Sequence, residues 1–343
     1  MRIEKNVALA PYTTFKIGGP ADYFCCVKTK KDLEKVLSFC LKKKLSLCIF
    51  GGGSNILVSD SGFRGLVVQL DFRGRMWRDR EGGVVEVTVA AGEPWDTLVE
   101  EAVQRNVYGI ENLSGIPGSV GGTPIQNVGA YGMEVGEVIV RVGACNRETL
   151  AWREFSAKEC KFGYRDSFFK TDAGRMYIVT DVTFRLEKKG KLNIVYKDVA
   201  NYFKEKKETP TLASVRKAIL EIRSRKFPDL AAHGTAGSFF KNPIVSKSSA
   251  SRVRKIFSDI PQFDAPYGKV KLPAAWLIEH VGGWKGIKLE DVGSFQNQAL
   301  VIVNYGKASA QNVKKFGDTI IEDIFSKCGI RLEREVQLVG DFL

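Results

Sequence analysis

The sequence is poor in the residues that most metal sites and acyl-transfer sites require. It has only two histidines, His233 and His280, and no pair of its seven cysteines has the C-x-x-C spacing. These absences exclude H-E-x-x-H metalloenzymes and the common zinc and thioredoxin motifs. No G-x-S-x-G motif is present. We therefore predict no resident metal and disfavour a hydrolase with a serine nucleophile.

Long apolar runs are also missing. No stretch reaches the roughly 18 apolar residues that a membrane-spanning helix needs. The N-terminal stretch MRIEKNVALAPYTTF has no apolar signal segment. We expect a cytoplasmic chain with reduced, mostly buried thiols and no membrane partner.

Positive charge and clustered glycine are present in excess. Lys and Arg number 52 against 39 Asp and Glu, so the formal net charge is +13, and 34 residues are glycine. This balance favours anionic partners, which include nucleic acids and small anions such as nucleotides. The chain lacks RRM, KH and zinc-finger signatures. We therefore expect small-molecule partners rather than nucleic acid.

Sequence periodicity predicts an α+β chain with three regions. Residues 1–70 read as a small α/β unit with a helix over 30–44 that Thr29 can cap. Residues 71–205 read as a second α/β region, with a strand of period two over 84–89 and a helix that Pro94 opens with Trp95 facing inward. Helical periodicity returns over 206–330, after the charged tract KEKKETP. Helices are expected there over 273–281, starting at Pro273, and over 308–327, ending at Gly329. The last predicted strand, within 331–343, is a candidate to rejoin the second region.

The segment GGGSN, residues 51–55, ends an apolar strand pattern abruptly. Three glycines let the backbone approach an anion closely, and successive N–H groups form a nest for phosphate. The segment matches neither the dinucleotide-binding fingerprint nor the P-loop. A phosphate nest and a plain tight turn both remain open from the residues alone.

A second glycine-rich stretch, residues 115–132, carries no charged residue. A solvent-exposed loop would carry more charge, so we predict a buried loop whose backbone polar groups need partners. A flat ring system lying on this backbone is one solution. Packing against protein alone is the other.

Three further segments contain residues suited to chemistry. Arg165 lies among aromatic residues, where it is placed to clamp a carboxylate or to pair with Asp166. Ser238 follows small residues and precedes two phenylalanines, which suits either a proton donor or a turn serine. Glu333 and Glu335 share one face of the predicted last strand, for which solvent exposure is the default.

Taken in order, these segments resemble the UDP-N-acetylenolpyruvoylglucosamine reductase (MurB) family over nearly the whole chain. The resemblance implies an FAD-binding fold of the p-cresol methylhydroxylase type, with subdomains 1–70 and 71–205, and a C-terminal α+β substrate-binding domain over 206–330. The segments that carry it are FKIGGPA (15–21), GGGSN (51–55), ENLSGIPGSVGG (111–122), NVGAYG (127–132), FGYRDSFFK (162–170), AGSFFKNP (236–243) and REV (334–336).

The resemblance implies FAD and NADPH as cofactors and an enzyme of peptidoglycan precursor synthesis. NADPH would give hydride to flavin N5, and the flavin would give it to C3 of UDP-N-acetylglucosamine enolpyruvate, forming UDP-N-acetylmuramate by ping-pong kinetics. Arg165 would stabilise the developing aci-carboxylate. Ser238 would protonate C2, and Glu335 would assist polarisation of the enol ether.

The resemblance also assigns binding residues. Tyr196 matches the tyrosine of a loop that covers the UDP-sugar in the longer form of the family. FAD would be held by Gly51, Gly52, Gly53, Ser54, Asn55, Gly115, Ile116, Pro117, Gly118, Ser119, Gly121, Gly122, Asn127, Gly129 and Ala130. The substrate or nicotinamide nucleotide would meet Tyr131, Tyr164, Tyr196, Lys226, Asn242 and Gln298.

Two other functions are compatible with parts of the sequence. The first is another FAD oxidoreductase of the same binding fold with covalently attached flavin, although no histidine lies in either glycine-rich stretch. The second is a basic nucleic-acid-binding protein, which would bind tightly in a salt-dependent way without flavin. For the reductase we expect a monomer.

Overall fold

The computed structural model describes residues 2–342 and divides into two compact units. The first unit contains residues 2–7, 21–52 and 64–223, and the second contains residues 8–20, 53–63 and 224–342. Both units are therefore discontinuous in sequence. The three-region division with borders after residues 70 and 205 stays a prediction.

The elements are numbered here in chain order. The helices are α1 (Lys30–Lys43), α2 (Trp95–Gln104), α3 (Ala157–Cys160), α4 (Lys197–Lys206), α5 (Leu212–Lys226), α6 (Lys247–Ile256), α7 (Ala274–Trp276) and α8 (Ala310–Cys328). The strands are β1 (Glu4–Ala8), β2 (Pro20–Val27), β3 (Leu47–Phe50), β4 (Ile56–Val58), β5 (Phe63–Leu70), β6 (Arg75–Asp79), β7 (Val84–Ala90), β8 (Gly129–Ala130), β9 (Met133–Glu134), β10 (Ile139–Asn146), β11 (Trp152–Ser156), β12 (Tyr177–Glu187), β13 (Ile244–Val245), β14 (Phe263–Ala265), β15 (Lys269–Lys271), β16 (Lys288–Leu289), β17 (Val292–Phe295), β18 (Gln298–Asn304) and β19 (Gln337–Val339).

The first unit is built on two sheets. A four-stranded sheet has the order β1-β2-β5-β3, and an antiparallel five-stranded sheet has the order β11-β10-β12-β7-β6. The alternating apolar residues of β7 give it an alternating buried pattern, as predicted from their period of two. Helices α4 and α5 bury a small apolar cluster of their own, which includes Tyr131.

Local sequence signals explain where the helices begin and end. The Thr29 hydroxyl accepts a hydrogen bond from the Asp32 amide and so caps α1, whose apolar residues Leu33, Val36 and Cys40 are buried. Helix α8 ends at Gly329, which has φ +69 and fills the left-handed C-terminal position. These two boundaries agree with the sequence prediction to within two residues.

The second unit combines two three-stranded sheets with α6, α7 and α8. The sheets have the orders β13-β15-β14 and β16-β17-β18, and one large apolar core packs in this unit, with Phe239 and Phe240 fully buried. Strand β4 pairs in parallel with β19 near the C-terminus. Within residues 2–342, no helix is long and apolar enough to cross a membrane.

Two predicted elements are shorter than their sequence patterns. The helix expected from Pro273 through Val281 is α for three residues and continues as a π-helical turn over Leu277–Val281. The expected last strand is regular only at β19. Its earlier residues pair with another segment instead: the Glu335 amide donates to the Phe239 carbonyl at 2.8 Å.

Candidate active site

The two glycine-rich stretches meet in the first unit. A Cβ atom added at Gly52 would lie 2.6 Å from Gly118 Cα, and one added at Gly51 would collide with the Ser119 hydroxyl. A side chain is therefore excluded from Gly52 because the two backbones approach too closely, whereas at Gly51 the obstacle is the Ser119 side chain. The predicted nest and the predicted uncharged loop are thus neighbouring parts of one structure.

Gly122 faces open space, in contrast to Gly52. A Cβ atom added there would meet no atom within 4 Å, although the neighbouring Val120 and Thr123 are buried. A loop with a buried apolar side and an open, side-chain-free backbone position fits a flat ring system. The residues here are therefore suited to FAD.

The first turn of α2 holds the beginning of this loop. The Trp95 amide donates to the Gly118 carbonyl at 3.0 Å, and the Trp95 indole donates to the Leu113 carbonyl at 2.9 Å. The Asp96 carboxylate accepts the Gly115 amide at 2.5 Å. The sequence predicts Pro94 at the start of this helix and Trp95 inside, whereas no local pattern assigns a role to Asp96.

Asn127 organises the second half of the loop through its side chain. With φ +46, it donates from Nδ2 to Glu134 at 2.7 Å and to the Gly163 carbonyl at 3.0 Å, and its Oδ1 accepts the Gly136 amide at 2.8 Å. These bonds show what the asparagine side chain does in the fold. Its assignment to FAD stays a prediction.

Arg165 is directed at the same loop. Its Nη2 donates to the Gly129 carbonyl at 2.7 Å, and its guanidinium lies 5.4 Å from the centre of the Tyr164 ring. Asp166 is exposed, and its carboxylate accepts the Ser167 amide at 3.0 Å. This arrangement favours the interpretation of Arg165 as a residue of the loop over that of a partner for Asp166.

Tyr131 and Tyr196 lie edge to face with ring centres 5.3 Å apart. Tyr131 is buried, and burial raises its pKa to about 12, although the Arg223 guanidinium opposes this shift. Tyr196 precedes α4 and is 42% exposed. Asn193 ties this segment to the Tyr131 turn, because its Nδ2 donates to the Gly132 carbonyl at 2.9 Å.

The remainder of GGGSN lies in the second unit. Gly53 has φ +61, and a Cβ atom there would collide with the Tyr12 carbonyl, so glycine is required. Asn55 donates from Nδ2 to the Glu335 carbonyl at 3.2 Å, and its own carbonyl accepts the Gln337 amide at 3.0 Å. The predicted cofactor residue Asn55 therefore fixes the backbone of the predicted catalytic residue Glu335.

Ser238 lies on an extended segment, residues 234–241, that is held on both sides. On one side the Phe239 amide donates to the Leu300 carbonyl at 2.8 Å, and on the other the Phe239 carbonyl accepts the Glu335 amide. Ser238 is half-buried next to Gly237, which has φ +74 and no atom near its Cβ position. Ser238 and Glu335 are thus brought onto neighbouring segments of one unit.

The other predicted substrate residues of the second unit are spread around this segment. Asn242 accepts the Ala274 amide at 2.9 Å and so fixes the start of α7. Gln298 is the first residue of β18, and half-buried Lys226 is the last residue of α5. Their contact with a ligand stays a prediction.

The thiols show no sign of chemical activation. Burial raises the pKa of Cys25, Cys48 and Cys145 to about 11 and that of Cys160 to about 12. Because the thiolate is the reactive form, these cysteines are inert. The structure records no disulfide among the cysteines.

Comparison with known proteins decides the family. Residues 21–146 match the model of an FAD-binding domain, and residues 229–339 match the C-terminal domain of UDP-N-acetylenolpyruvoylglucosamine reductase. The reductase of that name from Flavobacterium johnsoniae is 38% identical, covering 99% of this chain and 100% of the relative. The one from Bdellovibrio bacteriovorus is 40% identical over 98% of this chain and 99% of the relative.

This chain belongs to the UDP-N-acetylenolpyruvoylglucosamine reductase family. The crystal structure of the Thermus caldophilus reductase aligns with a TM-score of 0.69 at 25% identity and covers 99% of this chain and 100% of that one. The family prediction is confirmed. So is the α+β fold class, an FAD-binding fold of the p-cresol methylhydroxylase type with the family's C-terminal domain. The chain is an FAD oxidoreductase of peptidoglycan precursor synthesis.

Proposed function

We propose that this reductase uses NADPH to convert UDP-N-acetylglucosamine enolpyruvate into UDP-N-acetylmuramate. The observation that carries the proposal is the meeting of Gly51 and Gly52 with Gly118 and Ser119, beside a loop that is open at Gly122. A nest of backbone N–H groups suits the FAD pyrophosphate, and an uncharged loop suits its ring system. When bound, FAD would take hydride from NADPH and pass it to C3 of the enolpyruvyl group.

Arg165 supplies the charge that this reaction needs in the first unit. Addition at C3 pushes negative charge toward C2 and the carboxylate of the substrate. Arg165 already has one fixed partner, the Gly129 carbonyl, so its guanidinium is oriented before substrate arrives. Preoriented charge of this kind stabilises a transition state by roughly 3–4 kcal/mol.

Ser238 delivers the proton to C2. A serine is a weak acid, so its position must be fixed and the charge developing on the substrate must favour the transfer. The hydrogen bonds on both sides of Phe239 give the backbone at Ser238 that rigidity. Glu335, whose amide is bonded to Phe239 and whose carbonyl accepts from Asn55, assists polarisation of the enol ether.

The test is a visible spectrum of the purified protein under nitrogen. A flavin band that bleaches with NADPH and returns with UDP-N-acetylglucosamine enolpyruvate is the expected result. Bleaching without recovery would reject the substrate but keep the flavin. A colourless protein that takes up no added FAD would contradict the interpretation of both glycine-rich stretches.

Glu335→Gln separates the two half-reactions. We expect flavin reduction by NADPH to proceed at the parent rate and reoxidation by substrate to slow. Glu333→Gln is the matched control, because Glu333 is exposed and forms an ion pair with Lys241 at 3.3 Å. Unchanged turnover of Glu335→Gln would return Glu335 to the solvent-exposed interpretation.

A further inference from the structure

The peptide at Gly115 is held by charged side chains from α2 and α5. Asp96 accepts the Gly115 amide, and Arg216 grips the same carboxylate with two parallel hydrogen bonds, Nη1 to Oδ1 at 2.7 Å and Nη2 to Oδ2 at 2.9 Å. The Arg216 side chain is only 10% exposed. A bidentate pair of this kind fixes orientation as well as distance.

Arg223 holds the other side of the same residue. It lies on α5 seven positions after Arg216, two helical turns along the same face. Its Nε donates to the Gly115 carbonyl at 3.0 Å, and its guanidinium also hydrogen-bonds the Tyr131 hydroxyl group. Gly115 is therefore held at its amide through Asp96 and at its carbonyl by Arg223.

This support matters because Gly115 begins the open loop. Gly115 has φ +70, in the left-handed region, and the backbone then runs to Gly118 and Ser119, which meet the first glycine stretch. Gly118, Val120 and Gly121 hydrogen-bond to the backbone of residues 91–95, whereas the amide and the carbonyl of Gly115 bond to side chains. The bonds from Asp96 and Arg223 therefore define the path of the loop at the point where the chain turns.

We propose that Arg216 and Asp96 are positioning residues for the flavin: they hold the Gly115 amide so that the backbone of residues 115–122 is set for FAD before it binds. The inference rests on the proposed function in one respect, namely that this loop lies along the flavin. Neither residue touches the reacting atoms. Preorganised loops bind tightly because less ordering is left to the binding step.

An ordinary structural ion pair between α2 and α5 would behave differently. Its loss would lower the stability of the apoprotein and of the FAD complex equally, and the FAD dissociation constant of folded protein would not change. Loss of a positioning pair makes the dissociation constant rise, because FAD must then order the loop itself.

The experiment is a titration of FAD into apoprotein for the parent, Arg216→Gln and Arg216→Lys, at a temperature where circular dichroism shows each to be folded. We expect the FAD dissociation constant to rise about tenfold or more in Arg216→Gln. Arg216→Lys should not restore the parent dissociation constant, because one ammonium group cannot form two parallel hydrogen bonds with the Asp96 carboxylate. The fine structure of the bound flavin's absorption band should change in parallel.

Arg105→Gln is the matched control. Arg105 directly follows α2 and forms an i,i+4 pair with Glu101 at 2.8 Å near the opposite end of that helix from Asp96, so the variant removes the same charge and likewise removes an ion pair with α2. We expect its FAD dissociation constant to stay within about twofold of the parent value. If Arg216→Gln does not fold, Asp96→Asn keeps the shape of the site and carries the same expectation.

Two outcomes overturn the inference and are distinguishable. A lowered melting temperature of Arg216→Gln or Asp96→Asn with an unchanged FAD dissociation constant makes the pair merely structural and leaves the proposed function intact. Failure of the parent chain itself to bind FAD rejects the proposed function.

Discussion

The two units hold their candidate site segments by different means. In the first unit, side chains hold both ends of the loop of residues 115–132, notably Asp96, Asn127 and Arg165, while its middle hydrogen-bonds to the backbone of residues 91–95. In the second unit, the segment that carries Ser238 is fixed by backbone hydrogen bonds to β18 and to the chain around Glu335. A segment fixed by its backbone tolerates a change of side chain, whereas a loop fixed by side chains does not.

This difference suits the task of each segment. Where a glycine-rich loop turns away from its backbone partners, as at Gly115, its polar groups need partners from side chains. A single hydroxyl that must be presented accurately is best placed on a rigid extended segment. The comparison therefore predicts which substitutions alter chemistry alone and which alter the fold of the site.

Ser238→Ala should have the largest effect on the reaction and almost none on the fold. General acid catalysis contributes about 10²- to 10⁴-fold, so flavin reoxidation by substrate should slow by that factor. Flavin reduction by NADPH should keep the parent rate. The unfolding free energy should change by less than about 0.5 kcal/mol, because the backbone bonds remain.

Stopped-flow measurement of the two half-reactions checks this prediction. Ser258→Ala is the control, since Ser258 is exposed in the same unit and bonds only its neighbour Asp259 in the structure. Equal loss of both half-reactions in Ser238→Ala would exclude a proton-donor role. A large loss of stability would contradict the interpretation that backbone hydrogen bonds alone fix the segment that carries Ser238.

Arg165→Lys should slow substrate reduction by about 10²-fold, although the charge is kept. Lysine cannot bond the Gly129 carbonyl and a substrate carboxylate in the planar geometry of a guanidinium. Flavin reoxidation at saturating substrate is the measurement. Normal rates, together with a parent-like melting temperature, would show that charge alone is sufficient at this position.

Gly52→Ala and Gly122→Ala should separate folding of the loops from binding of FAD. At Gly52 the added methyl group meets Gly118 backbone atoms that cannot give way, so the apoprotein should lose about 1–3 kcal/mol. At Gly122 the methyl group meets open space, so the apoprotein should keep its stability while FAD binds more weakly. Calorimetry of the apoproteins and FAD titration measure the two effects.

Gly122→Ala is the more direct test of where the flavin lies. If Gly122→Ala binds FAD as tightly as the parent, the open space beside Gly122 is not where the flavin lies. If Gly52→Ala is as stable as the parent, the close approach of the two glycine-rich stretches does not constrain the fold.

Much of this arrangement could be predicted from short-range patterns. Thr29, Pro94 and Gly329 mark helix ends by chemistry that acts within one turn, and absence of charge identifies the loop of residues 115–132. The order and spacing of the seven segments together indicate the family, whereas each glycine motif alone is a weak signal.

What the sequence could not predict depends on residues far apart in the chain. Asp96 and Arg216 are separated by 120 positions, and their pairing leaves no local signal. The seven-residue spacing of Arg216 and Arg223 on α5 was the one available hint, since it places both on one helical face. The pairing of β4 with β19 is equally non-local, and it joins residues 53–63 to the C-terminal part of the second unit.

Acid should weaken the hydrogen bond that holds the loop at Gly115 before it affects the segment that carries Ser238, which is held by backbone hydrogen bonds. Burial tends to raise the pKa of Asp96, but hydrogen bonds from Arg216 and the Gly115 amide outweigh it and hold the pKa below its usual 3.8. A carboxyl group whose pKa is lower in the folded state than in the unfolded state stabilises the fold fully at pH values above its unfolded-state pKa. That contribution to stability is lost as the pH falls through the folded-state pKa. The bonds of the Phe239 backbone do not titrate.

Hydrogen exchange measures this difference, the smallest of those predicted. As pH falls below about 3.8, protection of the Gly115 amide should decline relative to that of the Phe239 amide, after correction for intrinsic rates. Asp96→Asn should remove the pH dependence at Gly115 because its amide does not titrate in this range. Parallel loss at both amides would mean that acid unfolds both units together. In that case neutralising the Asp96 carboxylate would not weaken the loop at Gly115 separately, and the two kinds of support would not be independent.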